Sequence, residues 1–75
     1  MEKTVFLEQF QDILQSDDPV SPDQSLAEIR EWDSLSVMAT IAFFDKRFGI
    51  RLTIASFQNL RTVEDIIALS KGAIT

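Results

Sequence analysis

Residues 34–48, SLSVMATIAFFDKRF, decide the fold. Val37, Met38, Ile41, Phe44 and Phe48 recur at the spacing that puts side chains on one face of a helix. Val and Ile are β-branched, but their spacing is helical and not alternating, so they count toward a helix here. Gly49 follows at once and supplies the stop, because glycine adopts the left-handed conformation that closes a helix. The predicted helix runs from Ser34 to Phe48 with that stripe inward. Phe43, rotated by about 100° from Phe44, is expected opposite the stripe and at least partly exposed.

Upstream, Phe6, Phe10, Ile13 and Leu14 share one face of a predicted helix over Thr4–Gln15, with Glu8, Gln11, Asp12 and Gln15 opposite. Ser16-Asp17-Asp18-Pro19 ends it, and from there to Asp33 the chain is rich in turn formers and has a second proline, Pro22. A long ordered first loop is expected, anchored to the core by Val20, Leu26 and Ile29, with a helical turn at SLAEI (25–29). Downstream, TIASFQNL (53–60) supports a short third helix. Thr62-Val63-Glu64-Asp65 then offers a capping hydroxyl and two acids at the start of a last helix reaching Lys71, with Gly72 as its stop.

The expected fold is all-α: a small four-helix bundle, three main helices plus one short helix, with a long first loop. The expected core is Phe6, Phe10, Leu14, Leu26, Met38, Ile41, Phe44, Phe48, Leu52, Phe57, Val63 and Ile66. The 75 residues are read as one domain, 1–75, standing alone from Met1. That is near the lower limit at which a core stabilises a chain without disulfides or metal, and the 45% hydrophobic content supports such a core.

Composition narrows the chemistry. A net charge of −5 repels phosphate backbones, so no nucleic acid is expected as a partner. Without Cys there is no disulfide or thiolate metal site, and without His the commonest general base and metal ligand is missing. No metal and no catalytic residue are expected. MEKTVFLEQF (1–10) lacks the basic start and apolar run of a signal peptide, and no segment is long enough to insert in a membrane. A cytoplasmic monomer is the expectation.

The remaining question is Ser34. Asp and Ser are both favoured at helix starts, where their oxygens accept from free N–H groups, so Asp33-Ser34 is explained by capping alone. The two roles are compatible, however: Asp33 can cap while Ser34, in the first turn, turns its hydroxyl outward. The Asp33-Ser34-Leu35 motif opens the longest apolar helix. It follows the loop with SLAEI and precedes FFDKRFGIRL (43–52) and TVEDIIAL (62–69). In that order of features the chain resembles the acyl carrier protein family along nearly its whole length.

The resemblance implies a carrier that is not an enzyme, with 4′-phosphopantetheine from coenzyme A joined covalently to Ser34 and Asp33 and Leu35 as motif neighbours. It implies a phosphopantetheinyl transferase as partner, which supplies the base and metal, since no His or Lys lies near Ser34. It also implies enzymes that load and transfer acyl, aminoacyl or peptidyl groups held as thioesters, in fatty acid, lipid or polyketide-type biosynthesis. The chain departs from the common pattern in two places. Glu31 and the bulky Trp32 precede Asp33 where a small residue is frequent. The positions after the motif, Ser36, Ala39, Thr40 and Ala42, are neutral and lead to Lys46 and Arg47. Both departures favour a specialised pathway over bulk fatty-acid synthesis.

Candidate partner-binding residues are Trp32, Leu35, Ala39, Phe43 and Glu31. Trp32 reads either as a cover for the loop and core edge or as an anchor beside the arm. Leu35, Ala39, Ala42 and Phe43 are expected to form a small apolar docking face. Glu28, Glu31 and Asp33 either are solvated loop acids or steer basic surfaces toward Ser34. The competing reading is an unmodified helical interaction module using Phe43 and Trp32. A small enzyme has no convergent acid pair, Cys or His behind it.

Overall fold

The computed structural model describes Met1–Thr75 and is all-helical. Helix α1 spans Lys3–Leu14, α2 Ser34–Phe48 and α3 Val63–Ala68. Short 3-10 turns at Leu26–Glu28 and Ile54–Phe57 punctuate the two connections. There are no strands, only one isolated bridge between Ser25 and Thr62. The expected turn at SLAEI is present, and the expected short helix within 53–60 is the second 3-10 turn. Its Thr53 N–H donates to Ser56 Oγ at 3.1 Å, a local bond that closes one tight turn and goes no further.

Alpha1 turns Phe6, Phe10 and Leu14 inward, as its spacing predicts. They join Leu26, Ile29, Phe44, Phe57, Val63, Ile66, Ile67 and Ile74 in one buried cluster. Ile41, Phe48 and Leu52, expected in the core, are half-buried against its rim. The rings interlock: Phe6 stacks on Phe10 with centroids 5.6 Å apart and meets Phe44 edge-on at 6.3 Å, while Phe44 meets Phe48 at 5.3 Å. Such separations are contact geometry for aromatic pairs and add to the stabilisation from their buried area.

Helix α2 sits in a different rotational phase from the expected one. Met38 is 56% exposed, whereas Ser36 and Thr40 are buried. Two polar residues replace it inside because each finds a local bond: Thr40 Oγ1 donates to Ser36 O at 2.8 Å, and Ser36 Oγ bonds at the helix start. A buried hydroxyl so satisfied carries little of the desolvation penalty that would otherwise turn it outward. The same rotation brings Phe43 onto the bundle. It does not stand opposite the stripe but is half-buried against Phe6 at 5.9 Å and Phe48 at 5.9 Å, and the Arg47 guanidinium lies 5.8 Å from its ring centre.

The long loop from Gln15 to Asp33 is tied to the start of α3. The Val63 N–H donates to Gln24 O, the Glu64 N–H to Pro22 O and the Leu26 N–H to Arg61 O, at 3.1, 2.7 and 2.8 Å. The free N–H groups that every helix start presents are thus satisfied by the loop's carbonyls. Asp65 completes the junction, its Oδ2 accepting from the Arg61 and Thr62 N–H groups at 2.8 and 3.0 Å. These backbone donors hold the Asp65 carboxyl below its ordinary pKa of 3.8. Alpha3 itself ends at Ala68, short of the expected Lys71, and the chain continues in turns through Gly72. No helix is long and apolar enough to cross a membrane.

Candidate functional site

The loop delivers the chain to α2 at Asp33, whose extended backbone makes it the N-cap. Its Oδ1 accepts from the Ser36 N–H at 3.0 Å, and the Asp33 N–H donates to Ser36 Oγ at 2.8 Å. This is a reciprocal capping box with serine in the position more often held by Glu or Gln. Ser36 Oγ also lies 3.0 Å from both Glu31 O and Asp33 O, so its single proton always has an acceptor. Ser36, just after the motif, is therefore the structural serine, a role that its sequence position, three after Asp33, could have disclosed.

Ser34 is left over. It is exposed, occupies the first helical position, and its hydroxyl takes no part in the capping bonds. The Val37 N–H donates to Asp33 O and the Ser36 N–H to Asp33 Oδ1, so the N–H groups of Ser34 and Leu35 remain without a partner in the chain. An oxygen group on Ser34 thus meets two free donors at the positive end of a long helix, which favours a phosphate ester by about 0.3–1 kcal/mol at an exposed position. Glu31 and Asp33 stand close by and oppose free anions. The site suits a phosphate that is joined covalently, not one held by affinity.

Leu35, next to Ser34, is 79% exposed. With Ala39 it borders a shallow cleft between the end of α1 and the start of α2, whose other walls include Ile13, Gln15 and Glu31. Met38 joins Leu35 on the outer face of α2, and Ile54 is 58% exposed on the second 3-10 turn. These two apolar side chains were not anticipated as surface. Of the expected partner residues, Leu35 and Ala39 lie exposed beside each other and Glu31 lies at the cleft rim. Trp32 and Phe43 are half-buried, Trp32 packing between Phe10 at 5.6 Å and Phe57 at 5.8 Å.

Charge divides at this site. Residues 12–33 carry seven acids and only Arg30 as a base, net −6, whereas residues 34–61 carry Lys46, Arg47, Arg51 and Arg61 against Asp45, net +3. Ser34 stands at the boundary.

Comparison with known proteins places residues 4–70 in the family described as "Phosphopantetheine attachment site". An acyl carrier protein of Myxococcus xanthus is 30% identical over 54 residues, covering 72% of this chain and 68% of the relative. An acyl carrier protein of Micrococcus luteus is likewise 30% identical over 54 residues, covering 72% of this chain and 67% of the relative. No solved structure matches.

Proposed function

This chain belongs to the phosphopantetheine attachment family, non-catalytic carriers modified by a phosphopantetheinyl transferase, and from that premise we propose that Ser34 is its attachment point. The observation that carries this reading is the division of labour between the two serines: Ser36 is buried in the capping box, and Ser34 is exposed with its hydroxyl uncommitted. Asp33 caps the first turn while Ser34 stays exposed, and the unpaired Ser34 and Leu35 N–H groups are the donors that would hold an ester formed there. The Ser34 oxygen bonds to the phosphorus that carries the pantetheine, the pyrophosphate bond of coenzyme A breaks with adenosine 3′,5′-bisphosphate leaving, and the hydroxyl proton goes to a base of the transferase, because the chain has no His to take it. When bound, the arm supplies a terminal thiol that holds an acyl group as a thioester.

The protein then serves as a shuttle for acyl, aminoacyl or peptidyl intermediates in fatty acid, lipid or polyketide-type biosynthesis, as one domain over residues 1–75. Partner enzymes dock around Ser34, with Leu35 and Ala39 as the apolar contact and Met38 beside them. Glu31 supplies charge at one rim, while Trp32 and Phe43, half-buried against the core rings, present only part of their surface to a partner. The test is intact mass after incubation with coenzyme A and a broad-specificity transferase. One phosphopantetheine on Ser34 is expected. No adduct with several transferases favours the unmodified interaction module instead.

A further inference from the structure

From Ser34 to Ala42 the exposed positions of α2 are Ser34, Leu35, Met38, Ala39 and Ala42, so about two and a half turns of solvent-facing helix carry no charge. A helix face that met only water would hold polar and charged side chains there. Leu35, Met38, Ala39 and Ala42 follow the i, i+3, i+4, i+7 spacing by which one helix recognises another. The two alanines are small enough to let a second helix come close beside the larger Leu35 and Met38. Ile54 adds an exposed apolar side chain on the second 3-10 turn, which packs against α2.

The charges differ at the two ends of this stripe. At the far end, residues 45–51 carry Lys46, Arg47 and Arg51 against Asp45, net +2. The negative end of a helix dipole amounts to about half an elementary charge, so these bases exceed what the end of α2 can neutralise. Arg47 is engaged, lying over the Phe43 ring and donating to Gln9 Oε1 at 3.3 Å. Lys46 and Arg51 are exposed and make no ion pair, the one ion pair of the chain being that of Lys3 with Glu64. Asp33, at the near end, is about 20 Å away from Lys46 along the helix axis. Screening at physiological salt acts over about 8 Å, so a partner on the far half of α2 meets the bases and not the loop acids.

We propose that the outer face of α2 receives an amphipathic helix of a partner enzyme, its apolar side on Leu35, Met38, Ala39 and Ala42 and its acidic side chains opposite Lys46 and Arg51. The local charge selects an acidic partner although the chain as a whole carries −5. That the partner is an enzyme of the carrier cycle rests on attachment at Ser34; the contact itself needs no arm.

The test titrates the unmodified protein with two synthetic amphipathic helical peptides that share one apolar face of Leu and Ala and differ only in the flanking residues, Glu in one and Lys in the other. Affinity is read by calorimetry and the place of contact by amide NMR shifts, near physiological salt. The Glu-flanked peptide is expected to bind severalfold more tightly, with shifts at Leu35, Met38, Ala42 and Lys46. Lys46→Glu with Arg51→Glu should reverse the order, and Met38→Glu should weaken both peptides. Melting temperatures check that the variants fold, and Lys46→Gln with Arg51→Gln, which should erase the preference, serves if the double reversal does not. Tighter binding of the Lys-flanked peptide, shifts confined to the loop around Glu28 and Glu31, a preference unchanged in the charge variants, or binding of neither peptide overturns the proposal. Intact mass after loading is a separate readout: a missing adduct overturns the attachment reading without touching the peptide contact, and a failed titration leaves attachment at Ser34 standing.

Discussion

Asp33 and Ser36 hold each other at the start of α2, each backbone N–H donating to the other's side chain, at 3.0 and 2.8 Å. That exchange is made by Ser36 alone, and the hydroxyl of the serine between them takes no part in it. Ser34→Ala should abolish loading and shift stability by no more than about 0.5 kcal/mol, as at other unbonded surface positions. Ser36→Ala should leave a loadable serine but cost about 1–2 kcal/mol, the worth of a cap. Intact mass and urea melts on the two variants check this, and the opposite pairing of effects would falsify the assignment.

The rotational phase of α2 predicts a graded series. Phe44→Ala should cost about 3–5 kcal/mol, a large share of what a domain this small has. Phe43→Ala should cost clearly less, since part of its ring lies under the Arg47 guanidinium and not in the core. Met38→Ala, at an exposed position, should be close to neutral. Denaturant midpoints measured side by side decide the order, and a Met38 loss equal to that at Phe44 restores the other phase.

Asp65 makes the loop–α3 junction sensitive to acid. Its pKa is lowered in the folded state, so the stability it contributes is fully present above its unfolded value near 3.8 and is lost as pH falls through the lower folded value. Asp65→Asn should therefore melt below wild type at neutral pH, and the gap should close as pH drops below 3.8. A gap that is constant across that window means the carboxylate charge has no part in the junction.

The charge boundary at Ser34 predicts partner choice. A transferase with a basic docking patch should meet repulsion from Lys46 and Arg51, so Lys46→Glu with Arg51→Glu should raise its loading rate severalfold at low salt. The gain should vanish near 1 M salt, where screening acts over about 3 Å. Ala39→Glu should also help such an enzyme, while weakening any partner that packs a dry apolar contact there. Steady-state loading at two ionic strengths measures both. Rates unaffected by the charge reversals would argue that long-range charge does not choose the partner.

Much of this was legible along the chain. The residues that start and stop the helices are local features, so Asp33, Thr62 and Gly49 mark their positions without reference to anything distant. The inward face of α1 followed from its spacing, and the prominence of Ser34 from its place one residue after a cap. The phase of α2 did not follow, because hydrophobic periodicity assumes that polar side chains belong in water. Thr40 and Ser36 escape that rule by bonding to their own backbone, at 2.8 Å in each case, so the helix rotates to bury them and turns Met38 outward. The tether between the loop and α3 was also hidden, since it joins carbonyls at Pro22 and Gln24 to N–H groups at Glu64 and Val63 and involves no distinctive side chain. Local hydrogen bonding is written in the order of residues. Which face of a helix meets the core, and which distant backbones meet each other, was decided only when the whole chain packed.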